Sequence, residues 1–261
     1  NIFMWAKVSN IIKYERITVK ESFIHFRGAL ELFIPQIATS IYLLLDKTLL
    51  GTLSTNVEVG LYDQAQKFVK IGLIFVSTFS TVMLPRMSKN LAKKNNDKTK
   101  RELIFSFRFI MIIACVLFYG ILICSYDFIY FFLGPEYEKI ATLMIIISPI
   151  ILLIAMGNVS GQQFLIPIGN VKIFTASVIV AAIVNAISNL IFIPKFASIG
   201  AAISTILAEI SVVVIQYPTF IKHLKVNVFK YFIKYLVLGL PLLLINYIPL
   251  EYNNYFIIFI L

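Results

Sequence analysis

The long apolar runs decide what this chain can become. Seven of them, Gly28–Gly51, Asp63–Leu84, Phe105–Ser125, Ile140–Ile166, Ile173–Pro194, Ser198–Tyr217 and Val228–Tyr247, are separated by polar connectors, and an eighth begins near Tyr255. A helix of about 20 predominantly apolar residues, rising about 1.5 Å per residue, crosses a hydrocarbon core of roughly 30 Å. With 59% hydrophobic and 14% charged residues, the chain holds far more apolar surface than a globular core can bury. Runs this long exclude a membrane β-barrel, whose strands alternate over about ten residues. The expected fold is all-α, a polytopic membrane helix bundle with about seven complete transmembrane helices plus a truncated one.

The loops orient these spans. Lys7, Lys13, Arg16, Lys20 and Arg27, then Arg86 to Arg101, then Lys172, then Lys222, Lys225, Lys230 and Lys234 fall in one alternating set. The other set holds Lys139 and Lys195 beside Glu58, Asp127, Glu136, Glu138 and Glu251. Basic residues mark cytoplasmic loops, which places residues 7–27, 85–104 and 218–227 in the cytoplasm. The net charge of +10 is thereby a product of topology, and no nucleic-acid partner is expected. The basic connectors are suited to rest on anionic membrane lipids. Cys115 and Cys124 stand about 13 Å apart along one helix, too far for a disulfide, and read as inert packing residues.

Pro35, Pro149 and Pro241 predict kinks within spans, and the polar patch Gly157 to Gln163 predicts a bend or break. Small residues, Ala181, Ala182, Ala186 and Ser188 on one span and Gly200, Ala201 and Ala202 on the next, predict close helix packing.

Charge inside a span is a functional hypothesis by default. Five charges, Asp46, Lys47, Asp63, Lys67 and Lys70, converge on the outer half of two consecutive helices. Lys47 and Lys67 can snorkel to the interface, and Asp63 and Lys67 suit an i,i+4 pair. Lys70, about 12 Å from its helix end, is the charge that snorkelling explains least. Ammonium groups in a water-filled cavity suit phosphate, so the cluster points to an anionic lipid head group. Glu209 lies mid-span, read either as bonded to Asn185 and Asn189 of the neighbouring helix or as a proton- or cation-linked switch. Glu31 and Arg108 read as interface residues, and His25 and His223 as loop residues without a catalytic partner.

The runs FIPQIATSIYLLLDKTLLG (33–51), EVGLYDQAQKFVKI (58–71), STVMLPRMSKNLAK (80–93), FLGPEYEKIATLMIIISPI (132–150), GQQFLIPIGNVK (161–172) and VNAISNLIFIPKFASIGAAISTILAEI (184–210) appear in that order. Together they resemble the polysaccharide transporter, or Wzx-type oligosaccharide flippase, family of the MATE-like multidrug/oligosaccharidyl-lipid/polysaccharide exporter superfamily. The resemblance implies a two-lobe exporter, with residues 28–220 as its second lobe. Residues 1–27 would then be the end of a truncated helix with its connector, and 221–261 the start of an extra helix pair. A natural protein of about twice this length is expected. The resemblance further implies a bacterial plasma-membrane transporter, not an enzyme, that moves undecaprenyl-diphosphate-linked oligosaccharides by alternating access for capsule, exopolysaccharide or O-antigen synthesis. It implies no cofactor, with coupling to a proton or sodium gradient left open. Lys70, Lys67 and Lys47 are the candidates to bind the lipid pyrophosphate, with Asp46, Asp63, Glu209, Asn185 and Asn189 supporting or coupling. Glycosyltransferases and a polymerase of the same pathway are candidate partners. The rival readings are a cation- or proton-coupled drug exporter, which an excess of basic residues disfavours, and a membrane-embedded polymerase, which the short outer loops disfavour.

Overall fold

A computed structural model describes residues 33, 37, 39–40, 44–93, 96–225 and 228–247. Most of the first expected span, including Pro35 and Glu31, lies outside them, as do His25 and the run from Tyr255. The described residues form helices and no strand. Residues 44–53 make α1, followed by α2 (Asn56–Ala92) and α3 (Asn96–Phe132). A 3-10 turn (Pro135–Tyr137) leads into α4 (Glu138–Ile147), α5 (Pro149–Gly157) and a π-helical stretch (Asn158–Leu165). Then come α6 (Val171–Phe196), α7 (Ser198–Leu224), α8 (Phe229–Gly239) and a 3-10 stretch (Leu240–Tyr247). Five stretches are long and apolar enough to cross a membrane: α2, α3, Pro135–Leu165, α6 and α7.

Helices α2 and α3, 37 residues each, outrun the expected spans at both ends. Each is about 55 Å long, so it passes through a core of roughly 30 Å and protrudes. The connector expected over Arg86–Arg101 is consequently mostly helical. Neither helix has a polar face of the kind a soluble helix turns to water. On α2, Tyr62, Ala65, Val69, Leu73, Val76, Ser80 and Met83 are buried at three- and four-residue spacing, while Ile71, Ile74, Phe75 and Val82 are exposed. A helix apolar on both faces belongs in lipid.

The core belongs to Pro135–Leu165, whose most apolar window is 67% buried against 28–44% for the other four spans. Its path bends where the sequence predicts. Pro149 opens α5 after a break at Ser148. At the polar patch the ladder slips to π geometry, with Ile166 N–H donating to Gly161 carbonyl at 3.0 Å. Such slips free backbone and re-aim side chains, commonly at functional sites.

Helices α6 and α7 form the most closely packed pair. Gly200 sits directly on the α6 backbone: a Cβ there would lie 2.4 Å from the Phe192 carbonyl oxygen. No other residue fits that approach without moving the helices apart. Helix α8 docks on α3, with Tyr119 hydroxyl donating to the Leu236 carbonyl at 2.6 Å and Gly239 packed against the Tyr119 ring.

Candidate functional site

Asp46 on α1 is completely buried, and three other helices supply its four partners. Asn185 and Asn189, one turn apart on α6, donate their amides to Oδ1 at 2.8 and 2.6 Å. Tyr62 of α2 and Thr205 of α7 lie 3.2 and 3.0 Å from Oδ2 and 2.8 Å from each other. All four partners are themselves buried. The helical periods explain the convergence. Asn185 and Asn189 at i,i+4 share one face of α6, and the close α6–α7 contact brings Thr205 beside them.

Two details of this hub bear on its chemistry. Three oxygens, Asp46 Oδ2, Tyr62 Oη and Thr205 Oγ1, touch one another, yet the two hydroxyls bring only one proton each. One edge of the triangle therefore lacks a proton unless the carboxyl carries it or a cation takes its place. Asn189 Oδ1 is buried with no hydrogen-bond donor. An orphaned acceptor beside a carboxylate is the environment a proton or a hard monovalent cation satisfies. Among the described residues, no group of three or more His, Cys, Asp or Glu gathers as a transition metal or divalent ion would require.

The five charges expected to converge divide into two groups. Asp46 turns inward, away from the lysines. Neighbouring Lys47 turns the other way and pairs with Asp63, which also receives Lys67 at 2.7 Å in the expected i,i+4 geometry. Successive residues diverge by about 100° around a helix, which is why Asp46 and Lys47 cannot share a destination. Lys67 is largely exposed, its side chain at 61%. Lys70 is half-buried and forms no ion pair among the described residues; its ammonium reaches Gln66 Oε1 at 3.4 Å. Gln66 Nε2 in turn donates to Tyr62 hydroxyl at 2.7 Å. A single file of side chains, Lys70, Gln66, Tyr62, Asp46, thus links the unpaired cation to the buried carboxylate.

Glu209 lines a separate cavity of about 220 Å³ with Asn158, Gln162 and Gln216, and Asn158 Nδ2 is buried there without an acceptor. The asparagine pair expected to bond Glu209 serves Asp46 instead. Residue 209 is one turn beyond Thr205 on the same face of α7, so the cavity opens on the side of the hub nearer the basic loops.

Sequence reading missed Tyr62 and Thr205, which carry no charge in a span and so raise no alarm, and took Gln66 only as a neighbour of the five charges. It also missed two neutral networks toward the basic end. Gln163 accepts from Ser106 at 2.5 Å and donates to Ser80 at 3.1 Å, and Gln216 accepts from Ser160 at 2.7 Å and donates to Ser177 at 2.8 Å. At the opposite end, Glu58 ties Lys139 at 2.5 Å and the first turn of α7 through Ser198. The visible signal was composition alone: Ser and Gln inside otherwise apolar runs.

Comparison with known proteins gives the family and the fold. A family model described as "Lipid II flippase MurJ" matches residues 16–260. A probable low-salt glycan biosynthesis flippase of Haloferax volcanii is 23% identical over 167 residues, covering 64% of this chain and 35% of that protein. A solved structure, lipid II flippase MurJ in an inward closed conformation, aligns with a TM-score of 0.73 at 19% identity, covering 99% of this chain and 56% of that one. That likeness speaks for the fold. The chain thus spans about a third of the curated relative and about half of the solved one. The expected class, a lipid-linked glycan flippase, is the class these matches name; the branch is MurJ, where the residues pointed to the Wzx type.

Proposed function

We propose, from the premise that this chain belongs to the lipid II flippase MurJ family, that it works within a multi-pass membrane flippase whose cargo is a glycan carried on a polyprenyl diphosphate such as undecaprenyl diphosphate. Lys70 is the principal anchor for the diphosphate, with Lys47 and Lys67 widening the positive field around it. The observation that carries this reading is the contrast among the three lysines. Lys47 and Lys67 share the carboxylate of Asp63, whereas Lys70 is half-buried, reaches the Gln66 amide oxygen and, among the described residues, forms no ion pair. A desolvated ammonium without a counter-ion favours an anionic ligand, and most strongly a doubly charged one.

The Asp46 hub is the coupling element. Its proton-short oxygen triangle and the orphaned Asn189 Oδ1 fit a proton or a sodium ion, held by the Asp46 carboxylate with Asn185, Asn189, Thr205 and Tyr62. The bound charge would neutralise Asp46. The Tyr62–Gln66–Lys70 file gives a physical route by which that neutralisation reaches the diphosphate anchor.

The test is translocation of a fluorescent polyprenyl-diphosphate glycan by the protein as the cell makes it, reconstituted in vesicles. Lys70→Ala should reduce it at least tenfold while Lys70→Arg retains most of it, with both variants inserting normally. Full transport by Lys70→Ala would overturn the anchor role.

A further inference from the structure

Two arginines, Arg101 and Arg108, stand apart from the site described above. On α3, Arg101, Phe105, Arg108, Phe109 and Ile112 fall on a single outward stripe and line a groove of about 380 Å³. Tyr235 of α8 forms its other wall. Arg108 Nε donates to Tyr235 hydroxyl at 3.1 Å, and its guanidinium lies over the Tyr231 ring at 5.4 Å. These two contacts hold the guanidinium in place, and among the described residues they answer one of its five N–H donors. Among the described residues neither Arg101 nor Arg108 forms an ion pair, and the nearby carboxylate of Glu102 is engaged by Arg86 at 2.9 Å.

The surroundings say what answers the rest. Beyond Arg108 the stripe turns wholly apolar, with Phe109, Ile112 and Val116 at 40%, 46% and 60% exposure. The groove therefore sits where the hydrocarbon begins, at the end that carries the basic loops. A guanidinium at that depth is costly without an anion, and the planar fork of arginine matches phosphate oxygens in pairs. Arg101 and Arg108 are two turns apart, about 10 Å along the axis, so two such arms can close on one group from opposite sides. The pattern reads as a lipid in outline: two cations for a head group, then aromatic and aliphatic surface for a chain.

We infer that the groove between α3 and α8 binds the phosphodiester head group of one anionic membrane phospholipid, with its acyl chain laid along Phe109, Ile112 and Val116. The occupant is a phospholipid of the leaflet facing the basic loops, distinct from any transported cargo. Charge complementarity commits the site to an anionic lipid, and the apolar continuation commits it to a lipid over a free ion. Its structural effect is to pin α8, which lies at the rim of the bundle, onto α3.

The experiment uses the protein as the cell makes it, purified from nanodiscs of phosphatidylcholine containing a minor fraction of phosphatidylglycerol, with retained lipids counted by native mass spectrometry. The unsubstituted protein should retain one more phosphatidylglycerol than Arg108→Gln, and Arg101→Gln should hold it about fivefold more weakly. Lys89→Gln, an exposed cation on the neighbouring helix, should match the unsubstituted protein. Arg101→Gln touches none of the Tyr231 and Tyr235 packing, so it tests the same phosphate even if Arg108→Gln misfolds. Equal retention by both arginine variants would overturn the inference. So would a thermal shift produced by inorganic phosphate in pure phosphatidylcholine discs, or displacement of the phosphatidylglycerol by a polyprenyl phosphate at equal concentration.

Discussion

The bundle buries two polar networks, one built on glutamines and one on a carboxylate, that are filled differently. Toward the basic end, Gln163 and Gln216 each bridge two serines on other helices, and every one of those side chains is neutral with its donors and acceptors matched. Toward the outer end, Asp46 gathers four donors around a formal charge and still leaves Asn189 Oδ1 unanswered. The first arrangement is complete, and a complete network has no reason to change. The second leaves Asn189 Oδ1 without a donor and has two hydroxyl protons for three oxygen contacts, so its most stable form depends on what the surroundings supply. Both glue helices together, but only the second can be asked a question by the medium.

That contrast can be broken most sharply at Asp46. Asp46→Asn preserves shape and removes the charge, turning one accepting oxygen into an amide nitrogen that donates to the Tyr62 and Thr205 hydroxyls. It should lower transport roughly 100-fold, equivalent to about 2.7 kcal/mol on the limiting step, with thermal stability retained. Normal transport by this variant in reconstituted vesicles would reduce the hub to the same structural role as the glutamine networks. The complementary change, Gln163→Leu, removes two bridging bonds at similar volume. Cross-helix bonds in membranes average about 0.6 kcal/mol, so stability should fall by about 1 kcal/mol in detergent unfolding with the transport rate unchanged. A transport defect larger than the stability loss would move the glutamine network to the functional side of the comparison. The smallest effect belongs to the outer tie between Glu58 and Lys139, whose lysine side chain is 40% exposed. Lys139→Gln should alter stability by less than about 1 kcal/mol, as exposed ion pairs do.

The same contrast explains what could be read before the structure. Apolar periodicity and loop charge gave the helices, Pro149 gave the break before α5, and Gly157 to Gln163 gave the π-helical stretch. Each of these is a local property of the chain. Helix ends were less legible, because α2 and α3 continue into the basic stretch 86–101, with Met87, Asn90 and Leu103 buried and Arg86 paired with Glu102 across the two helices. The site was half legible. Asp46, Asn185 and Asn189 announced themselves as polar groups in apolar runs, but their meeting depends on four helices whose sequence separations reach 159 residues. Tyr62 and Thr205 look ordinary in sequence and acquire a role only by standing beside a carboxylate. The assumption that adjacent charges act together failed at Asp46 and Lys47, where one peptide step turns the side chains to different neighbours.

Gly200 carries a consequence for how the hub can behave. Because α6 and α7 touch backbone to backbone there, Asn185, Asn189 and Thr205 ride on one stiff piece, while Asp46 and Tyr62 belong to α1 and α2. Hydrogen bonds fade steeply beyond about 3.2 Å. A slip of about 1 Å between those two pieces therefore releases the Asp46 contacts together instead of one after another. The absent side chain at residue 200 thus makes the Asp46 contacts to α6 and α7 one mechanical unit.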